Sequence, residues 1–403
     1  MFRHTLESLR IRNFRLFFIG QSISNVGNWL TNVALILFVL RLTGSGLAVG
    51  LLAAAQFGPM LFLSAWAGAV CDRVDKRRAL YVTQGLEMAQ SVGLAVLAFM
   101  PHPSVAALFG LAVFGGVLLA FDNPLRRAFV PEMAGDDALP NAVVLYSIII
   151  SGSQVFGPAL AGLLTTTVGY GWAFTIDAAS YIAVLASLAM MRPAELYRTQ
   201  VAPRSGHEIR EGIAYVLSLP FLWISFAMYA VVGIFSFNLR VALPLLVVGP
   251  LHSTDVAFTI LYSVVSIGGV VGALVVAARR FVQLRHVIIG STMLGVALLL
   301  LAVTPSVAVA VPAAFLVGAA SVVYSTATTA VAQVGTRRTM HGRVLALQTA
   351  IMGGTALVGG PAVGHLGDRF GGRAPILVGG VVCLLAAAFG QWAQRRAATI
   401  TAG

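Results

Sequence analysis

Long apolar runs alternate with short polar stretches along most of the chain. A bilayer core of ~30 Å needs about 20 apolar residues per helix. On that measure the runs predict spans over 16–40, 46–70, 79–100, 104–122, 142–168, 170–191, 220–248, 256–278, 287–304, 307–332, 344–366 and 374–392, twelve in all. In lipid every amide must bond within its own segment, so the spans are read as helices. The first run is too long for a signal-peptide core and lacks a small-residue cleavage site, so it reads as a retained helix. Residues 192–219 break the pattern with Arg192, Glu195, Arg198, Arg204, Glu208, Arg210 and Glu211. They divide the chain into an N-terminal six-helix bundle (1–191), a cytoplasmic linker (192–219) and a C-terminal six-helix bundle (220–403). Ser205 to Leu219 reads equally as an amphipathic surface helix or as a solvated connection.

Composition supports this reading. Hydrophobic residues make up 58% and charged residues 10%, against about 25% charged in a soluble protein. Mean hydropathy is +0.90. The net charge of +12 would suggest nucleic acid in a soluble protein, but here the arginines sit in loops, as membrane topology requires. With the N-terminus placed in the cytoplasm, twenty-two of the 26 basic residues fall on the cytoplasmic side. Arg41, Arg369 and Arg373 fall outside, and Arg240 falls within a span. This orientation puts both termini in the cytoplasm. The single lysine, Lys76, has no phosphate-binding glycines placed before it, which excludes an ATP-binding P-loop. Cys71 and Cys383 lie far apart and form neither a disulfide framework nor a zinc site.

The two halves echo each other. Gly157-Pro158-Ala159 is matched by Gly360-Pro361-Ala362, and Gly68-Ala69 by Gly272-Ala273 at nearly the same offset. Repeated halves around a midplane site are the architecture of secondary transporters. The expected fold is therefore an all-α polytopic membrane protein with two pseudo-symmetric bundles around a central cavity.

Polar residues inside the spans mark where that cavity would lie. Gln21, Asn25, Asn28 and Asn32 form one stripe along the first helix. Four amides facing lipid would be expensive, so the stripe lines an aqueous cavity or bonds to other helices. Gln154, Tyr324 and Asn238 are further cavity candidates. Three charges lie within spans, at Glu87, Asp177 and Arg240, and each needs a partner or a function. Glu87, near mid-depth between Gln84 and Gln90, is a candidate for taking up and releasing a proton. A permanently protonated, hydrogen-bonded glutamate is the alternative. Asp177 is a second proton candidate or a structural hydrogen-bond centre. Arg240 binds an anionic substrate group or pairs with a carboxylate such as Asp177.

After the second run stands Gly68-Ala69-Val70-Cys71-Asp72-Arg73-Val74-Asp75-Lys76-Arg77-Arg78. It resembles the GxxxDRxxxRR signature of the major facilitator superfamily. Asn13-Phe14-Arg15, Asp122 to Glu132, and Gly342-Arg343-Val344 resemble the bacterial exporter branch of that superfamily that includes the enterobactin exporter. Gly152 with Gly157-Pro158 and Gly162 resembles its antiporter motif. The resemblance implies a cytoplasmic gate at Gly68, Asp72, Arg73, Arg77 and Arg78, with Arg126 or Arg127 in reach of Asp72 from the next loop. It also implies that the Gly157 stretch limits leakage.

The expected function is secondary active export of a small hydrophobic or amphipathic molecule across the bacterial cytoplasmic membrane by alternating access. The proton gradient would supply the energy, and no cofactor is called for. The expected partners are the small-molecule substrate and the lipid bilayer, without nucleic acid, and the chain is expected to be a monomer. A nutrient or metabolite importer of the same fold is the alternative. A polytopic enzyme or receptor is more remote, because no catalytic cluster or sizeable soluble domain is visible.

Overall fold

The computed structural model describes residues 7–71, 73–197, 208–277, 283–334, 336–337 and 340–402. Asp72 lies outside the described residues, as do Arg198, Arg204, Arg279, Arg280 and Arg338. The elements are helical: α1 (Arg12–Thr43), α2 (Gly46–Cys71), α3 (Lys76–Phe99), α4 (Val105–Thr167), α5 (Tyr170–Met190), α6 (Glu208–Ser218), α7 (Pro220–Ser236), α8 (Leu239–Val248), α9 (Asp255–Ala277), α10 (Leu284–Ala302), α11 (Val307–Val334), α12 (His341–Phe370) and α13 (Ala374–Ala402). Ten stretches of the described residues are long and apolar enough to cross a membrane.

One expected boundary needs correction. Spans 104–122 and 142–168 belong to one long element, α4, whose helical angles break at Gly135 (φ 67°, ψ 172°). Residues 123–134, read as a loop, are helix. Leu125, Phe129, Val130 and Met133 give them an apolar face that packs with Phe14, Phe17 and Leu80, so the helix pays its ordering entropy outside the apolar run as well. The expected span 220–248 stands as one apolar stretch, Pro220–Val248, whose helix is interrupted at Phe237 and Asn238 between α7 and α8. The Asn238 amide donates to the carbonyls of Gly233 and Ile234 (2.9 Å), which the end of α7 leaves bare, and to Thr355 O of α12.

The chain divides into two compact units. The first holds Met1–Leu42 and Ala55–Pro203. Within it α1 and α5 run antiparallel in close register. A methyl group added at Gly20 would stand 2.7 Å from Ser187 Oγ, and one at Gly27 would stand 2.5 Å from Ser180 Oγ and 2.6 Å from Asp177 Oδ1. Glycines let helix backbones approach closely where lipid supplies no hydrophobic driving force. Asn13 anchors the start of α1 by exchanging two 3.0 Å bonds with the backbone of Arg192, after α5. Gly27→Ala is expected to push α1 from α5 and cost about 1–3 kcal/mol. Thermal unfolding in detergent checks this, and an unchanged midpoint would show that the seam has slack.

The second unit holds Thr43–Ala54 and Arg204–Gly403. The α9–α11 seam is again built of glycines, because a methyl at Gly268 would meet Phe315 O at 2.1 Å. Ser291 Oγ donates to Cys383 O at 2.8 Å and ties α10 to α13. The amphipathic stretch of the linker appears as α6, and Glu211 on it pairs with Arg343 of α12.

Candidate functional site

The polar heart of the first unit is assembled by α3. Thr83, Gln84, Glu87 and Ser91 recur at helical spacing and are all buried, so one face of α3 is polar within the protein. Across from it stand Asp122 and Arg126, one turn apart on α4, with exposures of 0% and 5%. Arg126 Nε pairs with Asp122 Oδ2, and its Nη2 lies 3.4 Å from Glu87 Oε2. Gln84 Nε2 donates to both carboxylates, at 2.7 Å to Asp122 and 2.9 Å to Glu87. Thr83 Oγ1 donates to Asp122 at 3.0 Å.

This cluster holds two carboxylates and one guanidinium. With both acids ionised it carries one negative charge in excess, in a setting where an unpaired charge is costly. A single proton balances it.

The network continues into α1. Arg126 Nη1 approaches Asn25 Oδ1 at 3.5 Å, and Tyr181 of α5 donates to Asn28 Oδ1 at 2.9 Å. Asn25 donates to Gln21 Oε1 at 3.2 Å, and Asn32 to Asn28 O at 2.8 Å. The polar stripe of the first helix is therefore used, at least in part, for helix–helix bonding. Gln21 is 1% exposed and does not face open solvent. Asp177 is fully buried and accepts from Ser91 Oγ at 2.7 Å and Ser180 Oγ at 3.5 Å. One turn of α3 separates Ser91 from Glu87, so the two acids are served by the same helix face.

Beside this polar axis, α1, α4 and α5 border an open apolar groove of about 570 Å³. Ile23, Val26, Leu30, Leu160 and Ile176 line it, with hydroxyls from Ser22 and Ser180. Gly157 and Pro158 lie on the same helices. A methyl at Gly157 would stand 2.3 Å from Trp29 Cβ, so this glycine sets how closely α4 meets α1. Pro158 and Gly162 are buried, whereas a methyl at Gly152 would meet nothing within 4 Å. Gln154 is half-buried.

The gate residues separate into different roles. Gly68 sits in the last turn of α2, and Arg73 and Arg78 are exposed. Asp75 caps α3 by accepting from the Arg78 N–H at 2.9 Å, and Lys76 pairs with Glu132 at 2.7 Å. Arg77 is fastened to the end of a neighbouring helix. Its Nε and Nη2 donate to Leu188 O (2.8 Å) and Ala189 O (3.3 Å), carbonyls left open at the end of α5. Arg126, expected in a loop, lies in helix and pairs with the buried acids Asp122 and Glu87.

In the second unit, Arg240 Nε donates to Tyr262 OH at 3.0 Å, while Asp177 has Ser91 and Ser180 as its own partners. Asn238 spends its amide on backbone carbonyls, as described above. Tyr324 is fully buried and packs with Tyr229 and Phe237, at ring separations of 6.1 Å. Asn238 thus serves a helix end, and Tyr324 packs in an aromatic cluster.

Sequence reasoning missed Asp122 and Arg126 as a site. Their i,i+4 spacing and the apolar period Leu125, Phe129, Met133 were the available signal. Pro124 and Pro131, which usually mark breaks, obscured it.

The fold is that of multi-pass transporters. It matches a bacterial homologue of the human lysosomal transporter Spinster (14% identity, TM-score 0.76, covering 95% of this chain and 96% of that one). It also matches the nucleoside transporter NupG (15% identity, TM-score 0.74, 96% and 97%). The sequence profile of the transmembrane secretion effectors covers residues 4–399, and the chain belongs to that family of the major facilitator superfamily. It is a multi-pass membrane protein of a transporter family, not an enzyme.

Among curated relatives, the staphyloferrin A transporter of Staphylococcus aureus is 32% identical over 43% of this chain and 44% of its own length. The enterobactin exporter EntS of Citrobacter koseri is 26% identical over 65% of this chain and 62% of its own length. The chain thus spans less than two thirds of the length of these relatives.

Proposed function

We propose that the protein is a proton-driven exporter that carries a small hydrophobic or amphipathic molecule across the bacterial cytoplasmic membrane. Two six-helix halves work by alternating access, with twelve spans, cytoplasmic termini and a monomeric chain. The observation that carries this reading is the buried Glu87–Asp122–Arg126 cluster. One proton more or less changes its net charge, so its bonds to α1 and α4 differ between the two charge states.

Asp177, reached through Ser91, is the second proton position. The relatives' names support export and, for the substrate, a siderophore. The apolar groove with its few hydroxyls fits a drug or lipid-like metabolite equally well. A proton entering down 100 mV supplies about 2.3 kcal/mol, roughly fiftyfold accumulation, so no nucleotide is needed. In this reading the Gly68–Arg78 loop forms the cytoplasmic gate, with Asp72 as its carboxylate, and Gly157 keeps α1 and α4 sealed.

The test is uptake of lipophilic dyes, drugs and iron-free siderophores into inverted membrane vesicles, with and without a protonophore. Protonophore-sensitive uptake above vesicles lacking the protein is expected. Uptake indifferent to the protonophore would remove the proton from the mechanism. Substrate driven out of such vesicles would make the protein an importer.

A further inference from the structure

A second copy of the gate signature stands at the end of α12. Gly364-x-x-x-Asp368-Arg369-x-x-x-Arg373 repeats Gly68-x-x-x-Asp72-Arg73-x-x-x-Arg77 residue for residue at the same internal spacing. We propose that Asp368 is the latch of a second gate, at the membrane face opposite the Gly68–Arg78 loop. The proposal rests on the alternating-access reading above.

The placement follows from α2 alone. Its 26 residues span about 39 Å at 1.5 Å per residue, a full bilayer core. The first signature begins at the last turn of α2, and Asp368 touches its first. The Asp368 carboxylate accepts from Ser45 Oγ (2.7 Å), Gly46 N (2.5 Å) and Leu47 N (2.9 Å). The amides are among those a helix start leaves unbonded, and a carboxylate also matches the positive end of the helix dipole. Ser45 meanwhile accepts from Ala48 N at 3.3 Å, so cap and latch share one hydroxyl.

Beneath the latch the helices meet backbone to backbone. A methyl at Gly50 would stand 2.1 Å from Gly360 O, and one at Gly364 would stand 2.0 Å from Gly46 O. The carboxylate bonds fasten this close-packed seam at its end. They are the bonds that must break if α2 and α12 part.

The arginines match as well. Arg373 Nη2 donates to Thr304 O (2.9 Å), just past the end of α10, as Arg77 donates to the carbonyls ending α5. In each copy the arginine fastens the signature loop to the end of a helix. Inverted three-helix repeats, nested within each half of transporters of this class, place such copies at opposite faces. The first copy follows the second helix of the first repeat, and the other follows the corresponding helix of the last.

The test measures the distance between spin labels at Leu51→Cys in α2 and Phe370→Cys in α12, both exposed positions, in liposomes without substrate or gradient. The two native cysteines are buried. Asp368→Asn is expected to raise the population of long distances about tenfold over the parent. Ser45→Ala, which removes one donor and keeps the carboxylate, is expected to shift it the same way by less, and it decides the matter if Asp368→Asn does not fold. Distance distributions identical to the parent in the folded variants would overturn the latch. Because neither substrate nor a proton gradient is present, this outcome is independent of whether the protein exports.

Discussion

Replacing Arg126 with alanine is expected to lower the thermal midpoint of the protein by on the order of 10 °C and to abolish transport. The guanidinium is the one cation among Asp122, Glu87, Gln84 and Thr83. Breaking a buried pair by removing one partner costs about 3–5 kcal/mol, because the remaining charge has lost its counterpart. Each kcal/mol moves the midpoint by about 2–4 °C in a unit of this size. The loss is specific to charge, so Asp122→Asn should restore part of it. The double variant Arg126→Ala/Asp122→Asn keeps Gln84 and Thr83 as partners for an uncharged amide. Scanning fluorimetry of the two single variants and the double variant yields the coupling. Strictly additive losses would mean that Arg126 acts through packing rather than charge.

Glu87→Gln should do the opposite: leave the fold standing and remove the response to the proton gradient. Glutamine keeps the shape and offers an oxygen to Arg126 and Gln84, but it has no proton to exchange. Asp122 is then the one acid of the cluster, a single carboxylate against a single guanidinium. In inverted vesicles, substrate should still bind with affinity within about twofold of the parent, while gradient-driven accumulation falls at least tenfold. Full accumulation by the variant would move the proton to Asp177, and Asp177→Asn is then the decisive comparison. Loss of binding and accumulation together would instead mark Glu87 as a structural acid.

Much of the molecule was legible along the chain. Helical spans can be read because hydropathy records lipid burial residue by residue, and the Gly68–Arg78 and Gly157–Gly162 stretches are local patterns. Glu87 and Asp177 stood out as charges inside apolar runs. Arg126 did not, since an arginine after a proline beyond an apolar run looks like any cytoplasmic loop residue. Its burial depends on α4 continuing as helix past the run and on Phe14 and Phe17 covering Leu125 and Phe129. Neither fact is local.

The sequence by itself determined an all-helical membrane protein, because apolar runs of about 20 residues must satisfy their backbone within the segment, and its motifs carried the resemblance to a transporter superfamily. It also determined which side chains would be costly to bury. The tertiary structure alone decided how those costs are met: Arg126 set between Asp122 and Glu87, Asp177 served by Ser91, and Asp368 set on the first turn of α2. Each joins helices far apart in the chain. The meeting of two helices is decided by which faces pack and how closely glycine allows it, and a one-dimensional pattern of hydropathy carries no record of that.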